Sequence, residues 1–289
     1  MSVAPPGFGP SPHPAAPGER PELPDGAIVD PAWRPWTAWG ALLLGFAGAF
    51  AAAFGLGIIA AIGGASLEDP PGWVTLSATV LQDVSLIAAA VFFARIGGRA
   101  RPIDFGLRRP AAFGAAFGYA AACLVAFFLF TLAWVAITGA HDSSSDLLNE
   151  LGLDRGAAAI VGAALLVCVV APIAEEFVFR GYMFTALRGW RGMWPAAIVT
   201  GLAFGAIHIG SAQLIFLVPL AFFGMALCVL YDRTGSLYPG IATHAINNAI
   251  AFGIAEGWDW QIIPIAVGAL AVIALAARGV ASLERPRTA

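Results

Sequence analysis

Residues 156–182 read GAAAIVGAALLVCVVAPIAEEFVFRGY. From Ala157 to Ala174 there is no charged or strongly polar side chain, and then Glu175, Glu176 and Arg180 follow in quick succession. An apolar run of about 20 residues has the length of a helix that crosses the hydrocarbon layer of a membrane. A carboxylate or guanidinium at such depth costs about 2.5 to 3.5 kcal/mol, so it persists only where it is paired or does chemistry. This stretch therefore poses two questions: whether the rest of the chain is also built for lipid, and what the two glutamates meet there.

The composition answers the first. The chain has 289 residues, 59% of them apolar and only 11% charged, against roughly 25% charged in an ordinary soluble domain. Apolar runs succeed one another at about Trp36–Gly63, Val74–Ala94, Ala112–Thr138, Gly156–Phe179, Pro195–Ile209, Leu214–Tyr231, Leu237–Ala255 and Ile262–Ala277. These predict an all-α polytopic membrane helix bundle of about eight transmembrane helices. The fifth and eighth runs are short for a layer of about 30 Å, so they either extend further or sit in thinned membrane.

Charge placement tests the count, because loops on alternating sides of a membrane alternate in basic content. All 15 basic residues are arginine. Arg95, Arg99, Arg101, Arg108 and Arg109 fall in the second loop, Arg188 and Arg191 in the fourth, Arg233 in the sixth, and Arg278, Arg285 and Arg287 at the C-terminal end. Glu68 and Asp69 mark the first loop, Asp142, Asp146, Glu150 and Asp154 the third, with Arg155, and Glu256 and Asp259 the seventh. The pattern predicts both termini on the cytoplasmic side, which requires an even number of spans. The organisation expected is a disordered Pro-rich cytoplasmic tail over 1–35, a single bundle over 36–278 and a cytoplasmic tail over 279–289. Abundant Arg, Ala, Gly and Pro without lysine fit a GC-rich bacterium, and hence a bacterial cytoplasmic membrane. Cys123, Cys168 and Cys228 lie in apolar runs without metal-site or disulfide spacing and read as small core residues.

Few polar residues remain at membrane depth. They are Glu175, Glu176 and Arg180 in the fourth span, His208, with Phe204 before it, in AFGAIHIG of the fifth, and His244, Asn247 and Asn248 in THAINNA of the seventh. In the second span, Gln82 and Asp83 read as interhelical glue, since no partner motif accompanies them. Residues four apart share a helix face whereas neighbours diverge. Glu176 is thus expected to pair with Arg180, leaving Glu175 without a local counter-ion and aimed elsewhere, as a general base for water. His244 and Asn248 share a face, and Phe204 lies one turn before His208, where it packs against the ring. Glu175 precedes Arg191 by 16 positions and His208 follows it by 17. Two antiparallel helices joined there bring both to one level.

Two hydrolytic chemistries fit these residues. Either Glu175 is the base and no metal is present, the version that the family resemblance given below favours, or Glu175, His208 and His244 hold a zinc whose bound water attacks, with the other glutamate as base. Other intramembrane designs fit poorly: there is no HExxH, no GxGD and no GxSG, and Ser211 reads as a cap or loop residue. The rival classes are a proton-coupled transporter relaying ions through Asp83, Glu175 and the histidines, and a non-catalytic immunity or scaffold membrane protein. The transporter predicts internal repeats with matched broken helices, and no such repeat is evident.

EEFVFR, FGAIH and HAINN fit Glu-Glu-x-x-x-Arg, Phe-x-x-x-His and His-x-x-x-Asn, in order and on separate apolar runs. Over about Pro172 to Asn248 the chain resembles the CPBP family, the CAAX prenyl endopeptidases and bacteriocin-processing proteins also called the Abi family. The resemblance implies an eight-helix intramembrane endopeptidase with its cavity open toward the cytoplasm. Glu175 and His208 would activate water, His244 and Asn248 would stabilise the oxyanion, and Glu176 and Arg180 would support the site. The partners implied are the lipid bilayer and a peptide or lipidated protein substrate. No nucleic-acid partner is indicated, and the oligomeric state is left open.

Overall fold

In a computed structural model the chain is described over residues 31, 33–66, 70–96, 98, 100–140 and 157–283. The Pro-rich tail up to residue 30, the acidic third-loop residues Asp142, Asp146, Glu150 and Asp154, and Arg155, Glu68, Asp69, Arg99, Arg285 and Arg287 lie outside the described residues.

The described chain is helical with no strand: α1 (Pro35–Ile62), α2 (Gly72–Ile96), α3 (Phe113–Thr138), α4 (157–191), α5 (Met193–Ile207), α6 (Leu217–Thr234), α7 (Leu237–Ala255) and α8 (Ile262–Leu283). Helices are the form an apolar chain takes in lipid, because each satisfies its own backbone polar groups. Six of the eight are long and apolar enough to cross a membrane; the others are α5 and α7, which carry the two histidine motifs. The short eighth run extends to Leu283, so 279–283 are helix rather than tail. The fifth run stays short, with 15 residues, or about 22 Å at 1.5 Å per residue.

Large apolar side chains such as Leu43, Phe50, Phe117 and Ile137 point outward from α1 and α3, as lipid-facing residues do. Exposed tryptophans stand at both ends of the bundle, Trp36, Trp39, Trp190 and Trp194 at the arginine-rich end and Trp73 and Trp260 at the other, where amphipathic rings favour the interface. α4 runs through the middle, and its Phe179, Tyr182, Met183 and Phe184 are fully buried. It packs against α1, α2, α5, α6, α7 and α8.

α4 is not a uniform α-helix. π-helical turns at Leu166–Val170 and Phe177–Phe184 flank the α-helical Ala171–Glu176 that carries both glutamates. The first has a local cause: Pro172 has no N–H and its ring crowds the carbonyl four residues back, so the preceding turn widens. At the second, Thr185 Oγ1 donates to the Arg180 carbonyl five residues earlier, at 3.0 Å.

Two tertiary devices fix the neighbours of α4. α5 and α6 approach along Gly201, Gly205 and Gly224, and a Cβ on Gly205 would stand 2.6 Å from the Leu217 carbonyl oxygen. Gly205→Ala therefore collides with backbone, and we expect a loss of about 1–3 kcal/mol, read as a lower unfolding midpoint in detergent. The second device is the α2–α3 connection, a 3-10 turn at Pro102–Phe105. Phe105 stacks on Phe177 of α4 with ring centroids 4.5 Å apart. Gly106 O accepts from Leu237 N at 2.8 Å, Arg108 Nε donates to Gly235 O at 2.8 Å, and Ser236 Oγ donates to Arg108 O. This strap ties the start of α7 to α4 and so fixes the height at which the polar residues of α7 meet the glutamates.

Candidate functional site

Glu176 is the centre of the polar cluster. Its side chain is 1% exposed, and its Oε1 accepts from Arg180 Nη1 at 2.8 Å, the pairing expected from the four-residue spacing. Arg180 is fully buried and reaches a second helix, donating from Nη2 to Gly224 O of α6 at 3.0 Å. Its guanidinium also lies over the Phe204 ring, 4.5 Å from the centroid, a favourable cation–π placement in a dry site. Gly240 of α7 admits the carboxylate, since a Cβ there would stand 2.9 Å from Glu176 Oε2.

The same Glu176 oxygen meets His244 Nδ1 at 3.0 Å. A carboxylate only accepts, so this contact places the ring proton on Nδ1 and leaves Nε2 free. Nε2 faces Glu175, 3.7 Å from Oε2. Glu175 is the wetter of the two acids, with 17% of its side chain exposed, and its Oε2 has no hydrogen-bond partner. The two adjacent glutamates thus part as the helix geometry requires: one is buried and orients an imidazole, the other is partly open and uncommitted.

His208 caps the C-terminal end of α5. Its Nδ1 lies 2.7 Å from Phe204 O, and its ring packs on Phe204 at 4.9 Å, the stacking expected from the sequence. Phe204 also touches His244, 5.7 Å away and edge-on. No hydrogen bond or ion pair joins His208 to Glu175 among the described residues. The imidazole that stands against Glu175 is His244, and Phe204 packs on the rings of both histidines. Beyond His208 the chain turns through Gly210 at φ 95°. Ser211 is a turn residue whose N and Oγ both bond His208 O, and α3 holds the turn through Trp134 Nε1 on Ile215 O at 2.8 Å.

Asn248 lies one turn beyond His244 and donates from Nδ2 to Val167 O at 2.9 Å. Val167 belongs to the first π-turn of α4, where a widened helix leaves a carbonyl to be satisfied from outside. Asn247 Nδ2 donates to Asn248 Oδ1 at 3.4 Å. One amide N–H of Asn248 is therefore committed to α4 and one remains.

Among the described residues no three His, Cys, Asp or Glu side chains are grouped to hold a metal ion. Glu175, His208 and His244 are not such a group, and the Phe204 ring packs on both histidines, at 4.9 and 5.7 Å. The three cysteines are buried and unpaired. Asp83, read from sequence as glue, is buried on α2 with an unpartnered Oδ2. Its burial toward α4 had no local sequence signal beyond the presence of a carboxylate in an apolar run.

Residues 157–250 match the family described as Rce1-like, type II CAAX prenyl endopeptidase. The three motifs from Pro172 to Asn248 fall inside that match, which bears out the resemblance drawn from them. The chain is 30% identical over 111 residues to an uncharacterized 24.3 kDa protein of Escherichia coli, an alignment covering 37% of this chain and 51% of that protein. It thus spans about half the length of the curated relative it matches. No solved structure matches.

Proposed function

We propose that the chain is an intramembrane endopeptidase that hydrolyses a peptide bond of a membrane-associated or lipidated peptide, with Glu175 as the base. The observation that carries the reading is the convergence of Glu175 and Glu176 from α4 on one imidazole, His244 of α7, with contacts of 3.7 and 3.0 Å. Membrane helices that need only glue are joined by neutral polar contacts; two acids, a guanidinium and an imidazole on one dry cluster are far costlier. The family match over 157–250 supports the same reaction class.

In this mechanism Glu175 takes a proton from water as the water oxygen bonds to the scissile carbonyl carbon. Glu175 then returns the proton to the departing nitrogen as the C–N bond breaks. Glu176 fixes the ring of His244, and the groups assigned to the substrate carbonyl are Nε2 of that ring and the remaining amide N–H of Asn248. In the protonated state of the ring, both donate to the developing oxyanion. Arg180 neutralises Glu176, and Phe204 packs Arg180, His244 and His208 into one layer. His208, whose ring packs on Phe204 at 4.9 Å, is the second group assigned to activating the water, beside Glu175.

The natural substrate is accessible to experiment. Membranes of a strain carrying Glu175→Gln are expected to accumulate uncleaved precursor peptides that disappear when the unsubstituted chain is restored, as read by quantitative peptide mass spectrometry. Identical peptide profiles in the two strains would remove the proposal.

A further inference from the structure

α6 supplies no carboxyl, imidazole or amide side chain to the cluster just described, yet two of its consecutive residues meet three of the cluster's members. Gly224 O accepts from Arg180 Nη2 at 3.0 Å, and the missing side chain of Gly224 lets Phe204 close in, since a Cβ there would stand 2.9 Å from Phe204 Cβ. Phe223 is fully buried and meets the imidazole of His244 edge to face, with ring centroids 5.5 Å apart and planes at 90°. The same phenyl packs against Phe127 of α3, with centroids 4.6 Å apart. Nothing in the sequence singles it out, because it is one of 20 phenylalanines and sits in an apolar run.

The contact matters because the polar partners of His244 leave the plane of its ring undetermined. Nδ1 is tied to Glu176 Oε1 at 3.0 Å. Nε2 lies 3.7 Å from Glu175 Oε2, beyond hydrogen-bond range. The torsion that turns an imidazole is broad, unlike the staggered torsions of an aliphatic side chain. One tether therefore sets a distance and still allows the ring to turn about it. Packing has to supply the rest. Phe204 from α5 and Phe223 from α6 meet the imidazole at 71° and 90°, and steeply set rings are a favourable aromatic arrangement. Each phenyl is itself backed, Phe204 by the Arg180 guanidinium 4.5 Å from its centroid and Phe223 by Phe127.

We infer that Phe223 is a positioning residue of the His244 site: with Phe127 behind it, its ring holds the plane of the imidazole, so that Nε2 stays toward Glu175 while Nδ1 stays on Glu176. The inference deepens the hydrolytic reading of Glu175 and His244 and rests on it. No bond is made or broken through Phe223. A phenylalanine that only filled the core would join α6 to α3 and do no more. Phe222 is such a residue: it stacks on Phe130 of α3 at 4.2 Å and, among the described residues, has no ring contact with His244. It serves as the control.

The test uses the full chain in proteoliposomes with Phe223→Leu, Phe127→Leu and Phe222→Leu, on a farnesylated CAAX peptide as probe. Phe223→Leu is expected to lower kcat about three- to tenfold, the factor that one edge-to-face ring pair is worth, with KM within about twofold. Phe222→Leu leaves kcat in place. In chains labelled with ¹⁵N-histidine, the ring signals of His244, assigned by their loss in His244→Gln, broaden or split in Phe223→Leu and stay sharp in Phe222→Leu. Where Phe223→Leu does not fold, Phe127→Leu carries the test, with the same changes in smaller degree. Sharp His244 signals that merely shift, as the lost ring current of a phenyl would make them do, overturn the inference. So does a Phe222→Leu chain that loses activity and sharpness to the same extent. If the unsubstituted chain cleaves nothing, the hydrolytic reading fails, and the ¹⁵N signals still decide whether Phe223 holds the ring.

Discussion

Glu175→Gln is expected to lower kcat on a peptide substrate by about 10² to 10⁴-fold, the range that a positioned general base contributes, with KM little changed. The amide keeps the shape of the side chain and loses only its capacity to accept a full proton. Stability should hardly move, because Oε2 of Glu175 makes no hydrogen bond and lies 3.7 Å from His244 Nε2. Steady-state kinetics in proteoliposomes together with an unfolding curve check both halves. Activity within about tenfold of the original would end the assignment of Glu175 as base. Loss of ion-coupled flux without any peptidase activity would point to the carrier reading, and an unchanged phenotype in every assay to the scaffold.

Arg180→Met is expected to be the most destabilising single change, at about 3–5 kcal/mol, the cost of leaving a buried charge without its partner. Arg180 holds Glu176 Oε1 at 2.8 Å and Gly224 O at 3.0 Å, and it covers the Phe204 ring. Its removal strands a carboxylate that is 1% exposed and opens the junction of α4 with α6. The double variant Arg180→Met with Glu176→Gln should recover at least half of the loss, since replacing both members of a buried pair is far less costly than breaking it. The glutamine carbonyl still accepts from His244 Nδ1. Chemical unfolding in detergent measures both variants, and additive losses would show that the pair is not the source of the cost.

Several of these residues were legible before any tertiary contact was known. The pairing of Glu176 with Arg180, the shared face of His244 and Asn248 and the stacking of Phe204 on His208 depend on 3.6 residues per turn, a property of the helix alone. The helix count followed from apolar run lengths. Where the local pattern was interrupted, reading along the chain went astray. Pro172 widens α4 into a π-turn whose Val167 carbonyl engages Asn248, and the fourth run continues to Arg191, well past the last apolar residue assigned to it.

What the sequence by itself determined, then, is the solvent, the helices and the partners within each helix, because these follow from periodicity and from the cost of charge in lipid. Which helices meet, and at what height, was decided only by tertiary packing. The glycine contact of α5 with α6 and the strap from Phe105 to Arg108 set the neighbours of α4, among them His244 against Glu175. The packing of α2 against α4 buried Asp83, an acid whose surroundings no local pattern announced. Contacts between helices depend on side chains far apart in the chain, and no period along a single helix encodes their register.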